Sequence, residues 1–437
     1  MTGRVSSSIL LEHNMADDFD IIVIGAGIAG SACALRCARA GLNVLLIERG
    51  EQAGSKNLSG GRLYTYALND LLPQATDSAP LERRITRESL SLLTPDAAST
   101  FTSLQPEGDS WSILRARFDP WLMSQAEASG VQCLTGVTVD SLFEENGRIS
   151  GVNCEGETLC ARYVVLAEGA NSVLAERHGL LEKPSRTTMA LGIKEVLAMD
   201  KATLESRFLL EENTGAAHLF SGEICGTLPA GAFLYTNQHT LSLGVVCPLS
   251  SIAQGSYPAT ELLARLKSHP ALRPLLRGSE TLEYGAHLVP EGGKHSMPRQ
   301  YGGEGWLLVG DALRTCINTG FTVRGMDTAL LSAEAAANAL IYACQQDAPQ
   351  NLFTLYHRAI ERSTLWPLLS RYASVPELLQ RPGWYRQWPA LMNDVARDLF
   401  KASPDPTPLL PQLLWRHARR HGLRGLAVDM LRSLKCL

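Results

Sequence analysis

The sequence predicts an α/β fold: a first α/β domain, an inserted, mainly antiparallel β-sheet (α+β) domain, and a helical C-terminal region. Three observations predict it. From Phe19 to Gly50 a β-branched run, a glycine turn, a helical stretch and a second apolar run follow one another. From Thr187 to Ser296 the texture changes to alternating strand segments, and from Gly305 a buried-strand pattern resumes the first texture before helices close the chain. A chain of 437 residues that is 45% hydrophobic can bury more than one core, which fits two or three domains.

The first element is FDIIVIGAGIAGSACALRCARAGLNVLLIERG. Ile21-Ile22-Val23-Ile24 reads as a strand and Gly25-Ala26-Gly27-Ile28-Ala29-Gly30 is GxGxxG. Ser31–Ala40 reads as a helix stopped by Gly41, and Val44–Ile47 as a strand ending at Glu48. This is the Rossmann-type βαβ unit. Gly25 permits a sharp turn, Gly27 lets the backbone approach a pyrophosphate, and Gly30 lets the helix pack on the strand. The helix N-terminal amides face the phosphates, and Glu48 stands about twenty residues on, where a ribose hydroxyl needs an acceptor. A glycine turn that binds nothing is the competing reading. Three features favour FAD over NAD: the unit opens the domain, Glu48-Arg49-Gly50 follows the second strand, and Gly310-Asp311-Ala312 lies far downstream. The Glu48 carboxylate would repel a 2′-phosphate, which argues against NADP.

Composition excludes several classes. A net charge of -4 argues against a nucleic-acid binder. No run of about eighteen apolar residues could span a membrane, and Asp17, Asp18 and Asp20 stand where a secretory signal would carry Lys or Arg. The ten cysteines are scattered without CxxC spacing, so the chain reads as a cytoplasmic protein with reduced thiols and no metal or iron–sulfur site of its own. Cys33 and Cys37, one helical turn apart, read as packing residues.

In chain order, residues 1–16 read as a disordered, dispensable extension. Residues 17–186 read as the first part of the cofactor domain, 187–296 as the inserted sheet domain that meets substrate or electron acceptor, 297–345 as the second part of the cofactor domain, and 346–437 as the helical region. The loop Gly54–Tyr64 can run across a flavin ring with Lys56, Asn57 and Arg62 available to its carbonyls, or be a solvated glycine loop. Arg115 opens a helix ending near Gly130 and is placed to reach cofactor phosphates, against a plain surface role. A strand over Gln132–Val139 follows, then a hairpin over Ser141–Val152 turning at Asn146-Gly147, and a strand over Ala161–Ala167. In the insert, Gly231–Asn237 and Leu241–Val246 read as strands and Pro258–Ser268 as a helix. Asp311 can accept hydrogen bonds from ribityl or ribose hydroxyls. The alanine-rich helix Thr328–Gln345 could stabilise negative charge at its N-terminus. From Trp415 to Leu437, Arg416, Arg419, Arg420, Arg424, Arg432 and Lys435 alternate with leucines. That pattern suits a membrane surface or an acidic partner, and equally a packed helix with a solvated face.

GAGIAG, GSKNLSGGRLY, RARFDPWL, LVPEGG at Leu288–Gly293, LLVGDAL and NTGFTVRGMD together resemble the FixC-type electron-transfer-flavoprotein:quinone oxidoreductases, from Asp17 to the C-terminus. GxGxxG and GDA are shared with the wider geranylgeranyl-reductase-like FAD flavoproteins, while the loop and GFTVRGMD segments are the narrower marks. The resemblance implies that Gly25, Gly27, Gly30 and Glu48 bind the ADP half of FAD, flanked by Arg115 and Val139. It implies that Asp311 holds the ribityl chain, that Gly325 and Met326 offer amides near the flavin pyrimidine, and that Lys56 and Asn57 lie by the isoalloxazine ring. Two departures stand near the cofactor: Glu168-Gly169 replaces an Asp-Gly pair, and Leu313-Arg314 replaces small residues. The cysteine-bound cluster domain of the fused relatives is missing, which implies a separate ferredoxin-like iron–sulfur subunit. The expected activity is transfer of electrons from an electron-transfer flavoprotein toward quinone, centred on the flavin without a catalytic acid or base. The protein would then work in the cytoplasm or on the inner face of the membrane. The alternatives are an FAD-dependent reductase or monooxygenase acting directly on a small organic substrate, and a scaffold subunit without FAD.

Overall fold

The computed structural model describes residues 19–55, 57, 60–226, 228–255, 257–346, 351–404 and 406–436. The expected N-terminal extension, and Lys56 of the glycine loop, lie outside the described residues.

The first sheet is built on Phe19–Ile24, whose Ile21, Ile22 and Val23 are fully buried. A β-branched run covered on both faces forms such a strand, each side chain contributing roughly 1.5–3 kcal/mol on burial. It pairs in parallel with Val44–Glu48 on one side and Glu157–Leu166 on the other. Gln132–Thr135 and Trp306–Leu308 extend the sheet outward in parallel, and Gly302–Gly303 adds an antiparallel edge. The expected hairpin is present as Val139–Glu145 and Arg148–Cys154. Its Asn146 and Gly147 have φ of 52° and 78°, the left-handed pair a tight hairpin requires. On the sheet, helix Ile28–Arg39 packs against helices Arg115–Ala128 and Met326–Gln345. The buried face of the last is mostly alanine, which lets its backbone come close. Cys33 and Cys37 are buried packing residues.

The second sheet runs in the order Glu280–Pro290, Met189–Ala198, Thr240–Pro248, Gly231–Thr236, Thr214–Gly222, Leu81–Leu93, Ser110–Ile113, Gly61–Tyr64. All pairings are antiparallel except Thr214–Gly222 with Leu81–Leu93. Strands from residues 61–113, which lie in the segment read as the first part of the cofactor domain, thus complete the sheet of the insert. Leu81–Leu93 is hidden in the sequence because its interior carries Glu82 and Arg83 at 4% and 0% exposure. Arg83 is satisfied only by distant groups: it pairs with Glu205 at 2.9 Å and donates to the carbonyls of Asn237 at 2.7 Å and Thr214 at 2.9 Å. Helix Ala259–Ser268 buries Leu262, Leu263 and Leu266 on this sheet.

The C-terminal region is helical. Gln387–Phe400 packs on Leu410–His421, where His417 meets Asp398 and His421 meets Asp394, both at 2.8 Å. Leu391, Val395 and Leu426 form a small core of their own.

Candidate functional site

A cavity of about 660 Å³ opens between the two sheets. Its floor is the turn after Phe19–Ile24. A Cβ at Gly25, where φ is +103°, would stand 2.5 Å from the Ala167 carbonyl oxygen, and one at Gly30 would overlap the Gly25 carbonyl. These two glycines are demanded by the turn itself. Gly27 is not: its φ is -72°, and among the described residues an added Cβ would find only Arg115 Nη2, at 3.9 Å. The space above Gly27 therefore belongs to the cavity, at the start of a twelve-residue helix whose first amides have no side-chain cap. Ala26, Ile28 and Ala29 complete the turn. Glu48 closes its far side by accepting the Ala26 amide at 2.9 Å and the Gly50 amide at 2.8 Å, which fixes the carboxylate beside the turn. Arg49 and Val139 line the same end.

Arg115, at the start of its helix, is held by Asp119 one turn on: Nε and Nη2 donate to the two carboxylate oxygens at 2.6 Å each. Burial works against the guanidinium charge, but Asp119 outweighs it and the Arg115 pKa is raised. Asn57 donates to the same carboxylate at 2.8 Å, joining the glycine loop to this pair. Arg62 does not reach into the cavity as a free cation. Its guanidinium is committed to Glu88 and, at 2.8 Å, to Ser110 Oγ.

From the other end of the chain, Gly310 has φ of +63°, donates its amide to Ser332 Oγ at 2.9 Å, and is pressed against Ala29. Asp311 follows it into the cavity. Burial pushes its pKa up, and Arg115 and Lys194 draw it partly back. Gly325 and Met326 open the long helix at the cavity wall, where a Cβ on Gly325 would stand 3.9 Å from Asp311 Oδ1. That helix start is braced by Arg324 and Tyr66, both bonded to Asp327. The turn at Glu48, the Arg115–Asp119 pair, Asp311 and Gly325 thus surround one space, although they come from four separate segments.

The two departures from the resembled pattern have structural explanations. Glu168 accepts the amides of Leu174 and Ala175 at 2.7 and 3.0 Å and caps the short helix Val173–Arg177. Arg314 turns away from the cavity to the carbonyls of Ser296 at 3.3 Å and Glu182 at 2.5 Å.

Four residues facing the cavity or holding it together escape sequence reasoning. For Asp119 the available signal is an acid four residues after Arg115. Lys194 is a single lysine in the apolar strand Met189–Ala198. It donates to the Gly60 carbonyl at 3.2 Å and stands 5.6 Å over the Phe233 ring. Burial, with Arg115 beside it, pushes its pKa down to about 8. His287 on the neighbouring strand is pushed down to about 4 by burial, Lys194 and Arg115, and is neutral at pH 7. Glu291, in the LVPEGG segment, is pushed up to about 7 by burial. The far wall is apolar and includes Pro376, Leu379 and Tyr385 from the helical region.

The C-terminal basic stretch is only partly free. Arg416 lies 3.7 Å from Asp398, Arg420 3.5 Å from Asp394 and Arg432 3.6 Å from Glu377. Leu413 and Leu426 are buried, while Leu410, Trp415, Met430, Leu431 and Leu434 are exposed. No helix among the described residues is long and apolar enough to cross a membrane.

The chain matches the sequence model of the family described as "FAD dependent oxidoreductase" over residues 20–105 and 74–339. It is 68% identical, over 97% of its length and 100% of the relative, to the Escherichia coli K12 protein described as "Probable electron transfer flavoprotein-quinone oxidoreductase YgcN". It is 41% identical to Protein FixC of the same organism, over 96% of this chain and 99% of that one. Among solved structures, a geranylgeranyl bacteriochlorophyll reductase-like protein of Thermoplasma acidophilum superposes with a TM-score of 0.71. That match covers 95% of this chain and 99% of the other at 19% identity, a likeness of fold.

Proposed function

The chain belongs to the FAD-dependent oxidoreductases, within the family of the FixC-type electron-transfer-flavoprotein:quinone oxidoreductases, and from that premise we propose that it accepts electrons from an electron-transfer flavoprotein and passes them to a quinone. FAD, when bound, supplies the carrier that takes an electron pair from one partner and yields it to the other. The residues fit that group. The open space at Gly27 and the helix amides behind it suit a pyrophosphate, and Arg115, held rigid by Asp119, adds a fixed positive charge. Glu48 has lone pairs left for ribose hydroxyls after binding two amides, and Asp311 is available to the ribityl chain. Gly325 and Met326 bring the start of a twenty-residue helix, with its partial positive charge, to the ring end, where Lys194 adds a full one. Val139, Arg49, Gly310 and Asn57 complete the enclosure, and Lys56 adjoins Asn57 in sequence.

The observation that carries the acceptor half of this reading is the continuity of the cavity. The glycine turn and a mainly apolar chamber walled by the second sheet and the helical region, with Lys194, His287 and Glu291 among its few polar side chains, share one space. A flat, apolar, two-electron acceptor suits such a chamber. We propose that residues 17–186 and 297–345 serve the cofactor and 187–296 the acceptor, with 61–113 contributing strands to the latter. A ferredoxin-like iron–sulfur protein is proposed as a separate partner because the cysteines of this chain offer no cluster spacing. We also propose that the exposed apolar face of the last two helices rests on the inner surface of the membrane, where quinones dissolve. Stopped-flow mixing of the purified protein with reduced electron-transfer flavoprotein, followed by a short-chain quinone, tests the reading. Quinone absorbance should fall rapidly only when reduced electron-transfer flavoprotein and the FAD-loaded protein are both present. Turnover with NAD(P)H and a small substrate in the absence of any protein partner would instead identify a reductase or monooxygenase.

A further inference from the structure

We propose that Glu291 is the proton donor to the acceptor's carbonyl oxygen, an inference that rests on the quinone reading above. Its Oε1 is enclosed and has no hydrogen-bond partner among the described residues. A carboxyl kept for structure would be bonded on both oxygens, so an orphaned one at a cavity wall needs a reason.

A tight turn in the backbone holds Glu291 in place. Its amide donates to the Thr188 carbonyl at 2.9 Å. A Cβ on Gly292 would stand 2.5 Å from Ser296 Cβ and 2.7 Å from Thr188 Cβ, and Gly293 has φ of +58°. The two glycines therefore let the chain turn sharply beneath the carboxyl, and Ser296 Oγ ties the turn by donating to the Gly293 carbonyl at 2.8 Å.

Among the described residues, no hydrogen-bond partner takes the proton or steadies the anion. Of the titratable groups close enough to interact with it, Cys247, Cys316 and Tyr385 all have pKa values raised by burial and neighbouring groups, and they are neutral at pH 7. The Tyr385 hydroxyl is already spent on the Leu379 carbonyl at 2.8 Å. Nearby cations are engaged elsewhere. Lys294 donates to Ser370 Oγ at 2.9 Å and lies over the Trp366 ring, and Arg314 is bound to the Ser296 and Glu182 carbonyls. His295 is exposed. Burial thus keeps the carboxyl largely protonated up to about pH 7.

The chemistry balances. Reduction of a quinone to a quinol takes two electrons, supplied by the donor flavoprotein through the bound cofactor, and two protons. As one carbonyl oxygen gains electron density, the O–H bond of Glu291 breaks and an O–H bond forms on the acceptor, leaving the Glu291 carboxylate. Water restores that proton, and solvent supplies the second. General acids of this kind contribute about 10²- to 10⁴-fold.

The test compares the FAD-loaded wild-type protein with Glu291→Gln on two oxidants, a short-chain quinone that takes protons and the ferricenium ion that takes none. Glu291→Gln should lower kcat for the quinone by about 10²-fold while ferricenium reduction and FAD content stay at wild-type values. The wild-type quinone rate should fall as pH rises through about 7, and that fall should vanish in the variant. Independently of turnover, infrared spectra should show a carboxylic-acid band that disappears over the same pH range and is missing from Glu291→Gln. Equal quinone rates and equal pH profiles in the two proteins would overturn the proposal while leaving the quinone reading intact. Ferricenium reduction without any quinone reduction by the wild type would overturn both. If Glu291→Gln does not hold FAD, Glu291→Asp decides: it should keep a pH-dependent quinone rate, and a flat profile overturns the assignment.

Discussion

Replacing Gly27 with valine separates a glycine kept for a ligand from glycines kept for the fold. Residue 27 has an extended backbone, φ -72° and ψ -175°, which a β-branched residue adopts freely. Among the described residues the added Cβ would meet only Arg115 Nη2 at 3.9 Å, and Gly27 itself lines the cavity. The FAD-free protein should therefore lose no more than about 1 kcal/mol, the cost of a poorer N-cap residue. Gly30→Ala places a methyl group on the Gly25 carbonyl, inside a turn whose own Gly25 cannot retreat from Ala167, and should cost about 3 kcal/mol or more. Cofactor binding should order the variants differently. Gly27→Val should purify colourless because its side chain fills the volume needed by a pyrophosphate. It should also lose the stabilisation that saturating ligand confers, about 2.7 kcal/mol when FAD is present at 100 times its Kd. Flavin absorbance per protein and urea melts with and without added FAD measure both effects. A yellow Gly27→Val protein with full FAD would refute the placement of the pyrophosphate. A FAD-free melt as damaged as that of Gly30→Ala would refute the claim that Gly27 is free of packing duty.

Asp119→Ala removes both acceptors from a guanidinium that is 21% exposed at the cavity wall and should cost about 1–3 kcal/mol in urea melts without FAD, with Asp119→Asn intermediate. A loss below about 1 kcal/mol, the range of a solvated pair, would show that Arg115 finds water or another partner. Lys194 titrates at about 8 in the folded protein against an ordinary 10.5, so between those values the unfolded chain holds more protons and stability rises with pH. Lys194→Met should abolish its share of that rise and stabilise the FAD-free protein at neutral pH, and an unchanged pH slope in melts would refute the assignment. Full-length protein should sediment with anionic vesicles less as salt is raised. Changing Arg416, Arg419, Arg420 and Arg424 to serine should weaken binding by about 2 rather than about 4 kcal/mol at roughly 1 kcal/mol per charge, because Arg416 and Arg420 already face Asp398 and Asp394. Equal binding by both proteins would remove the basic tail from membrane contact.

Short-range chemistry is legible along the chain. Phe19–Ile24, the GxGxxG turn, helix Ile28–Arg39 and Glu48 lie within thirty residues, and their geometry follows from β-branching, glycine φ and strand pairing, so the cradle could be read directly. Asn146-Gly147 specified its hairpin for the same reason, and the alanine run its helix. The tertiary structure alone decided which strands complete the second sheet. Leu81–Leu93 joins it because Arg83, a residue that argues against a buried strand when read locally, finds its acceptors at Glu205, Thr214 and Asn237, more than a hundred positions away. The same holds for the cavity's chemistry. Lys194 meets Gly60 and Arg115, Glu291 meets Tyr385 and Cys316, and Asp311 meets Arg115 only once the chain has folded. Their charges are set by desolvation, a property of the enclosure that close packing of distant segments creates and that no local pattern of residues records.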